Sequence, residues 1–238
     1  MLDVAEMWDF DDPKKSESRF RTAIPGADWR DQQLLMTQLA RAVGLQGRYE
    51  DGLALLDVTQ SPDPEIAAWV HLERGRILRS SGAPDKARPE LEAAVRDSVG
   101  SDALHIDALH MLALLAEPEE QSALHEEALR IAQTSRSLRA RDWDATLLNN
   151  IGMAHADAGE WRDALASFEL ALSSRERQGD NARTRVARWM VAWVMRHLGH
   201  TVEALSIQRM LKAELVAIGE ADPHVDEEIS LLEQTLRK

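Results

Sequence analysis

Glycine-marked turns that recur at a near-constant interval constrain this chain more than any other feature. Segments of the form Gly-x-(aromatic or Pro) stand at Gly47-Arg48-Tyr49, Gly82-Ala83-Pro84 and Gly159-Glu160-Trp161, with a weaker copy at Gly199-His200-Thr201. Their separations are 35, 77 and 40 residues. Because 77 is two steps of about 38, a further turn belongs midway, where Ala116-Glu117-Pro118 sits without its glycine. A second series, Gly179 and Gly219, follows 20 residues behind Gly159 and Gly199. A period of this length marks stacked units that bury their apolar faces only against each other, so the 238 residues read as one array of five hairpins.

The repeating unit is helical. With 3 Phe, 1 Tyr and no long alternating segment, strand signals are scarce, whereas Ala, Leu, Glu, Arg and Gln fill stretches of helical length. Twelve helices fit, near 14–23, 28–45, 49–59, 64–81, 84–98, 102–116, 118–135, 139–158, 161–177, 181–198, 201–219 and 222–237. Asp11-Asp12-Pro13, Ser61-Pro62-Asp63-Pro64 and Asp222-Pro223 set a capping side chain beside a proline, which is how helices begin.

The clearest unit is residues 145–180. It reads Leu148-x2-Ile151-Gly152-x2-His155, then Ala164-x3-Phe168, with Ala171 after it. Small residues at 152 and 164 suit a helix crossing, Phe168 fills the space beside it, and Ala171 lets the next helix approach. Weaker copies run through Leu39, Ala40, Gly47, Gly52 and Leu56, through Gly75, Gly82, Ala87, Leu91 and Ala94, and through Ala192, Gly199 and Ala204. This pattern resembles the tetratricopeptide repeat (TPR) family over about residues 28–220. The long units are similar to those of kinesin light chains and bacterial peptide-sensing regulators, whose inner groove takes up peptide segments. The third unit departs from the pattern, losing its turn glycine and three or four residues.

The resemblance implies an all-α, right-handed α-solenoid of about five TPR-like hairpins, with units near 28–60, 64–99, 102–136, 139–180 and 181–220. Residues 1–27 and 221–238 contribute terminal capping helices. For the last helix a dimer seam through Val225, Ile229, Leu232 and Leu236 is the alternative. It also implies a non-catalytic scaffold that holds a protein or peptide on the concave face. The alternative is a peptide or small-ligand sensor that changes curvature on binding and regulates a partner. By resemblance to the family, counting from the turn glycine puts Thr146, Asn149, Met153 and Asp157, with Asn150 beside them, on the concave side of unit four, and Trp189, Trp193 and Arg196 beside His197 on that of unit five. Trp189 and Trp193, four apart, share a helical face, and the asparagines can bond a peptide backbone in both directions. If both rings line a groove, removing them abolishes partner binding and leaves the melting temperature within a few degrees; if they are core, the chain unfolds.

Other functions find little support. Cysteine is absent, which excludes disulfides, thiolate nucleophiles and zinc sites with Cys ligands and fits a cytoplasmic setting. The N-terminus shows no basic region followed by an apolar one, so no signal peptide is expected, and the longest apolar run, 189–195, is far below the roughly 20 residues that span a bilayer. A net charge of −13 repels phosphate backbones, so no nucleic-acid partner is expected. His125-Glu126-Glu127-Ala128-Leu129 begins like a zinc-protease helix but has Leu at the second ligand, and reads as a helix surface. His155 reads as core, His110 as lying on or near a core face, His197 and His200 as turn residues, and Glu119-Glu120 and Glu227-Glu228 as solvated faces. No catalytic residue, metal site or cofactor is assigned, and a monomer or weak homodimer is expected.

Overall fold

A computed structural model describes residues 4–237, in which there are thirteen α-helices and no strand. The chain divides into two compact units, Met1–Ile131 and Ala132–Lys238. The first holds a 3-10 turn, Val4–Met7, then α1 (Pro13–Ala23), α2 (Trp29–Gly44), α3 (Tyr49–Asp57), α4 (Pro64–Ser80), α5 (Pro84–Asp97), α6 (Asp102–Ala113) and most of α7 (Pro118–Thr134). The second holds α8 (Leu138–Arg141), α9 (Asp144–Asp157), α10 (Trp161–Gln178), α11 (Asn181–His197), α12 (Thr201–Ala217) and α13 (Pro223–Leu236). Among the described residues, no helix is long and apolar enough to cross a membrane.

The glycine series has a conformational cause. All six glycines of the two series, and no other described residue, take positive φ, between 73° and 83°. At Gly159 this left-handed step lets the Glu160 amide donate back to the His155 carbonyl at 2.8 Å, capping α9 before α10 begins. An L side chain rarely adopts that conformation, so the period in the sequence is the period of the helix ends. The third hairpin solves the same problem differently. Leu114 stays right-handed, and the Leu115 and Ala116 amides donate to Leu112 and Ala113 in tight turns before Pro118 starts α7. Its missing glycine was therefore informative: α6 ends three residues earlier than the sequence pattern suggests.

The helix expected over 139–158 is broken at Asp142-Trp143, giving α8 and α9. The Asp144 carboxylate accounts for the break. It accepts from the Ser174 hydroxyl at 2.9 Å and from Arg177 at 2.5 Å, which ties the start of α9 to the end of α10. At the predicted starts, Asp12, Asp63 and Asp222 each accept an amide bond in front of Pro13, Pro64 and Pro223.

Within each unit the cores follow the small-residue crossings. In the first, Gly75 lies against fully buried Leu91, in a cluster with Ala68, Leu72, Ala94, Leu104 and Ala108. In the second, Gly152 lies against Phe168, which is 1% exposed and clustered with Ala156, Ala164, Val191 and Val194. Burying such a ring stabilises by about 1.5–3 kcal/mol. At the C-terminal end, Leu232 is fully buried with Ala192, Ala204 and Leu205, Val225 is also buried, and Ile229 packs beside them. Of the residues of the alternative seam only Leu236 is exposed, so α13 closes the second unit's own core.

Candidate functional site

The residues expected to line a groove all fall in the second unit, on α9 and α11. Met153 and Trp193 rest, partly buried, on the same apolar cluster, so these two helices contribute to one surface. Asn149 and Asn150 are half-buried and Asp157 is exposed at the end of α9. Thr146 does not stand free, because its hydroxyl accepts from Arg175 Nη2 at 2.8 Å.

An aromatic series covers this surface. The Trp161 ring stacks on His197 with centroids 3.9 Å apart and planes 4° from parallel. Trp193 meets Trp161 edge-on at 5.6 Å, and Trp189 lies parallel to Trp193 at 6.2 Å and edge-on to His224 at 6.4 Å. Such offset and T-shaped pairs are favourable ring geometries. The two tryptophans differ in kind. Trp193 packs onto the cluster that holds Val191, Val194 and Met195, so it belongs partly to the core and not to a separate face. Trp189 is half-buried, and its indole N–H is out of contact with solvent and has no hydrogen-bond partner. A buried donor left unpaired is costly, and a ligand carbonyl would satisfy it.

Arg196 has a structural task. Its Nε and Nη2 donate to both oxygens of Glu228 on α13, at 2.8 and 2.9 Å. Glu228 is 5% exposed, which corrects its reading as part of a solvated face: the bidentate pair allows the carboxylate to be buried. Burial, with the charge of Arg196 added, holds the His197 pKa below the ordinary imidazole value. His155, expected in the core, is half-exposed and hydrogen-bonds Glu160 at 2.7 Å, because the turn brings that carboxylate over it. His155, Glu160 and Asp163 bring ligand atoms within 4.8 Å of one another on this largely exposed turn.

Two features of the first unit escaped the sequence reading. His125, read as helix surface, is only 2% exposed and stacks on His110 at 5.7 Å. The second is a buried ion network at the first helices of the hairpins. Arg76 on α4 pairs with Asp107 on α6 and lies 3.3 Å from fully buried Glu73, which Arg41 on α2 approaches at 3.8 Å. Arg41 also lies over the rings of Trp8 and Phe10, at 5.2 and 5.3 Å. Burial pushes the Glu73 carboxyl above its ordinary value, with the charges of Arg76 and Arg41 opposing. A signal was present: Arg41 and Arg76 are 35 residues apart, the same step as Gly47 to Gly82.

Comparison with known proteins agrees with this architecture. The tetratricopeptide repeat family profile matches residues 143–211. No curated protein sequence matches the chain. Among solved structures, BtubC of P. vanneervenii is similar with a TM-score of 0.66 and 17% identity, covering 94% of this chain and 95% of that one. A signal transduction ATPase with numerous domains and a tetratricopeptide repeat sensor, from Pyrococcus horikoshii, gives a TM-score of 0.73 at 12% identity, covering 94% of this chain and 36% of that one. The quorum sensor NprR from B. thuringiensis, in its apo form, gives 0.64 at 17%, covering 94% and 64%. This chain thus spans about a third of the first sensor's length and less than two thirds of the second's. Residues 143–211 thus match the tetratricopeptide repeat profile, and the chain has an all-α solenoid fold like that of tetratricopeptide repeat structures.

Proposed function

We propose that the protein is a non-catalytic module that binds an extended peptide segment of a partner protein across α9 and α11 of the second unit. The observation that carries this reading is the ring series ending in Trp189, whose indole N–H is buried without an acceptor. The rings offer apolar contact to peptide side chains. The indole N–H, Asn149 and Asn150 supply the donors and acceptors that a peptide backbone requires. Arg196 enters this proposal only as the residue that holds α13 against α11, since its donors are engaged by Glu228.

A sensor role is a second reading, supported by the likeness to a tetratricopeptide repeat sensor and to a quorum sensor. In that reading the same surface takes the ligand, and binding alters the packing of α9 and α11 to inform a partner.

The test is a peptide-display selection on the whole protein, followed by affinity measurement of the selected peptides. Asn149→Ala should weaken them about tenfold, the loss of a hydrogen bond or two to peptide backbone. Unchanged affinities for every selected peptide would remove Asn149 from the site and the α9 face with it.

A further inference from the structure

The second unit contains a basic cavity distinct from the ring series. It has a volume of about 390 Å³ and is lined by three arginines, Arg139 of α8, Arg175 of α10 and Arg183 of α11, together with Asp142 and Asp180. Trp143 and Thr146 contribute to its wall.

Arg175 is the unusual member. It is half-buried, yet its guanidinium donates only to neutral oxygens, Gln178 Oε1 at 2.9 Å and Thr146 Oγ1 at 2.8 Å. Most arginines that this chain buries in part lie against carboxylates: Arg30, Arg76, Arg88, Arg188 and Arg196 all do. Burial and the charge of Arg183 pull the Arg175 pKa below the usual guanidinium value, whereas hydrogen bonds to carboxylates raise those of Arg30 and Arg88. Arg183 has one carboxylate, Asp180 at 3.5 Å, and that group also caps α11. Three guanidiniums and two carboxylates line the cavity, and the Asp144 carboxylate that also acts on Arg175 is itself paired with Arg177, which leaves an excess of one positive charge.

We propose that this cavity binds a monoanionic carboxylate, presented by a small organic acid or by the C-terminal end of a peptide. A forked guanidinium matches the two oxygens of a carboxylate, and Arg175 is already oriented by its two neutral bonds. The charge balance selects a monoanion, because a phosphate dianion would face Asp142 and Asp180 with too little positive charge to offset both. The cavity lies within the size range of small-ligand sites, so it has space for several atoms beyond the carboxylate, and Trp143 supplies an apolar wall for them. The Thr146 hydroxyl, which accepts from Arg175, retains its own proton to donate to the anion. This site does not depend on the ring series being a peptide groove.

The test is an NMR titration of the full chain, following the Arg175 Nε–Hε resonance, with sodium acetate, N-acetylglycylglycine, the C-terminal amide of the latter and inorganic phosphate at matched ionic strength. Saturable shifts are expected with both carboxylates and none with the amide. Tighter binding of N-acetylglycylglycine identifies a peptide end as the source, and equal or tighter binding of acetate identifies a small acid. Arg139→Gln and Arg183→Gln, both at exposed positions, should each weaken the carboxylate about tenfold, the scale of one charge-assisted bond. Arg162→Gln, an exposed arginine at the start of α10, should leave it unchanged. The proposal is overturned by the absence of a saturable shift, by an equal shift with the amide, by tighter binding of phosphate, or by indifference to both arginine variants.

Discussion

Gly75→Leu and Gly152→Leu should each destabilise the protein by about 1–3 kcal/mol, and each should do so in its own unit. A Cβ on residue 75 would lie 2.5 Å from Leu91 Cδ2, and one on residue 152 would lie 2.8 Å from Phe168 Cε1. Both neighbours are fully buried or nearly so. Leucine gains at most about 1 kcal/mol over glycine in helix propensity, so the steric cost outweighs it. Glu126→Ala, on an exposed position of α7, should remain within about 0.5 kcal/mol of the parent. Urea unfolding followed by hydrogen exchange in the two units checks this, and equal effects at all three positions would show that the glycines do not mark the helix crossings.

The second large effect is an acid sensitivity centred on His125, with the stacked His110 lowered by burial in the same sense. Burial, with a smaller contribution from the charge of His110, lowers the His125 pKa from 6.5 to about 4. A histidine whose pKa is lower in the folded than in the unfolded chain takes up its proton preferentially on unfolding. Its contribution is therefore present above about pH 6.5 and is lost as pH falls toward 4. The loss is on the order of 3 kcal/mol, from about 1.4 kcal/mol per pKa unit. The raised carboxyl of Glu73 acts in the opposite sense, since its native form holds a proton more firmly and gains stability as pH falls. Comparing wild type with His125→Leu cancels that term. Between pH 7.5 and pH 4 the wild type should lose on the order of 3 kcal/mol more than the variant. Parallel pH profiles would show that His125 titrates normally.

Helix order, and every helix but the split of 139–158, were legible in the sequence because the features that terminate helices are local. The six periodic glycines, and Asp12, Asp63 and Asp222 before their prolines, act through their own backbone, so their spacing carries the hairpins directly. The break at Asp142-Trp143 was not legible, because its cause is the attachment of Asp144 to Ser174 and Arg177 some thirty residues on. The same holds for charged residues. Glu228 and Glu73 read as exposed by local rules and are buried where Arg196 and Arg41 reach them from other helices, with Arg76 one turn along α4 also beside Glu73. For the candidate site, the sequence placed Trp189 and Trp193 on one helical face, and their rings are indeed parallel neighbours. It could not separate their roles, because the contact of Trp193 with Trp161 depends on how α10 and α11 meet.

Since Trp193 carries part of the core, Trp189→Ala is the cleaner variant for the proposed groove. Peptides selected by display on the wild type should bind Trp189→Ala at least about tenfold more weakly, the loss expected for an anchoring aromatic residue. Its melting temperature should stay within a few degrees, as Trp189 is not among the residues packed on the clusters around Phe168 and Leu232. Peptides that bind Trp189→Ala as tightly as the wild type, or a variant that no longer folds, would contradict a peptide groove across α9 and α11.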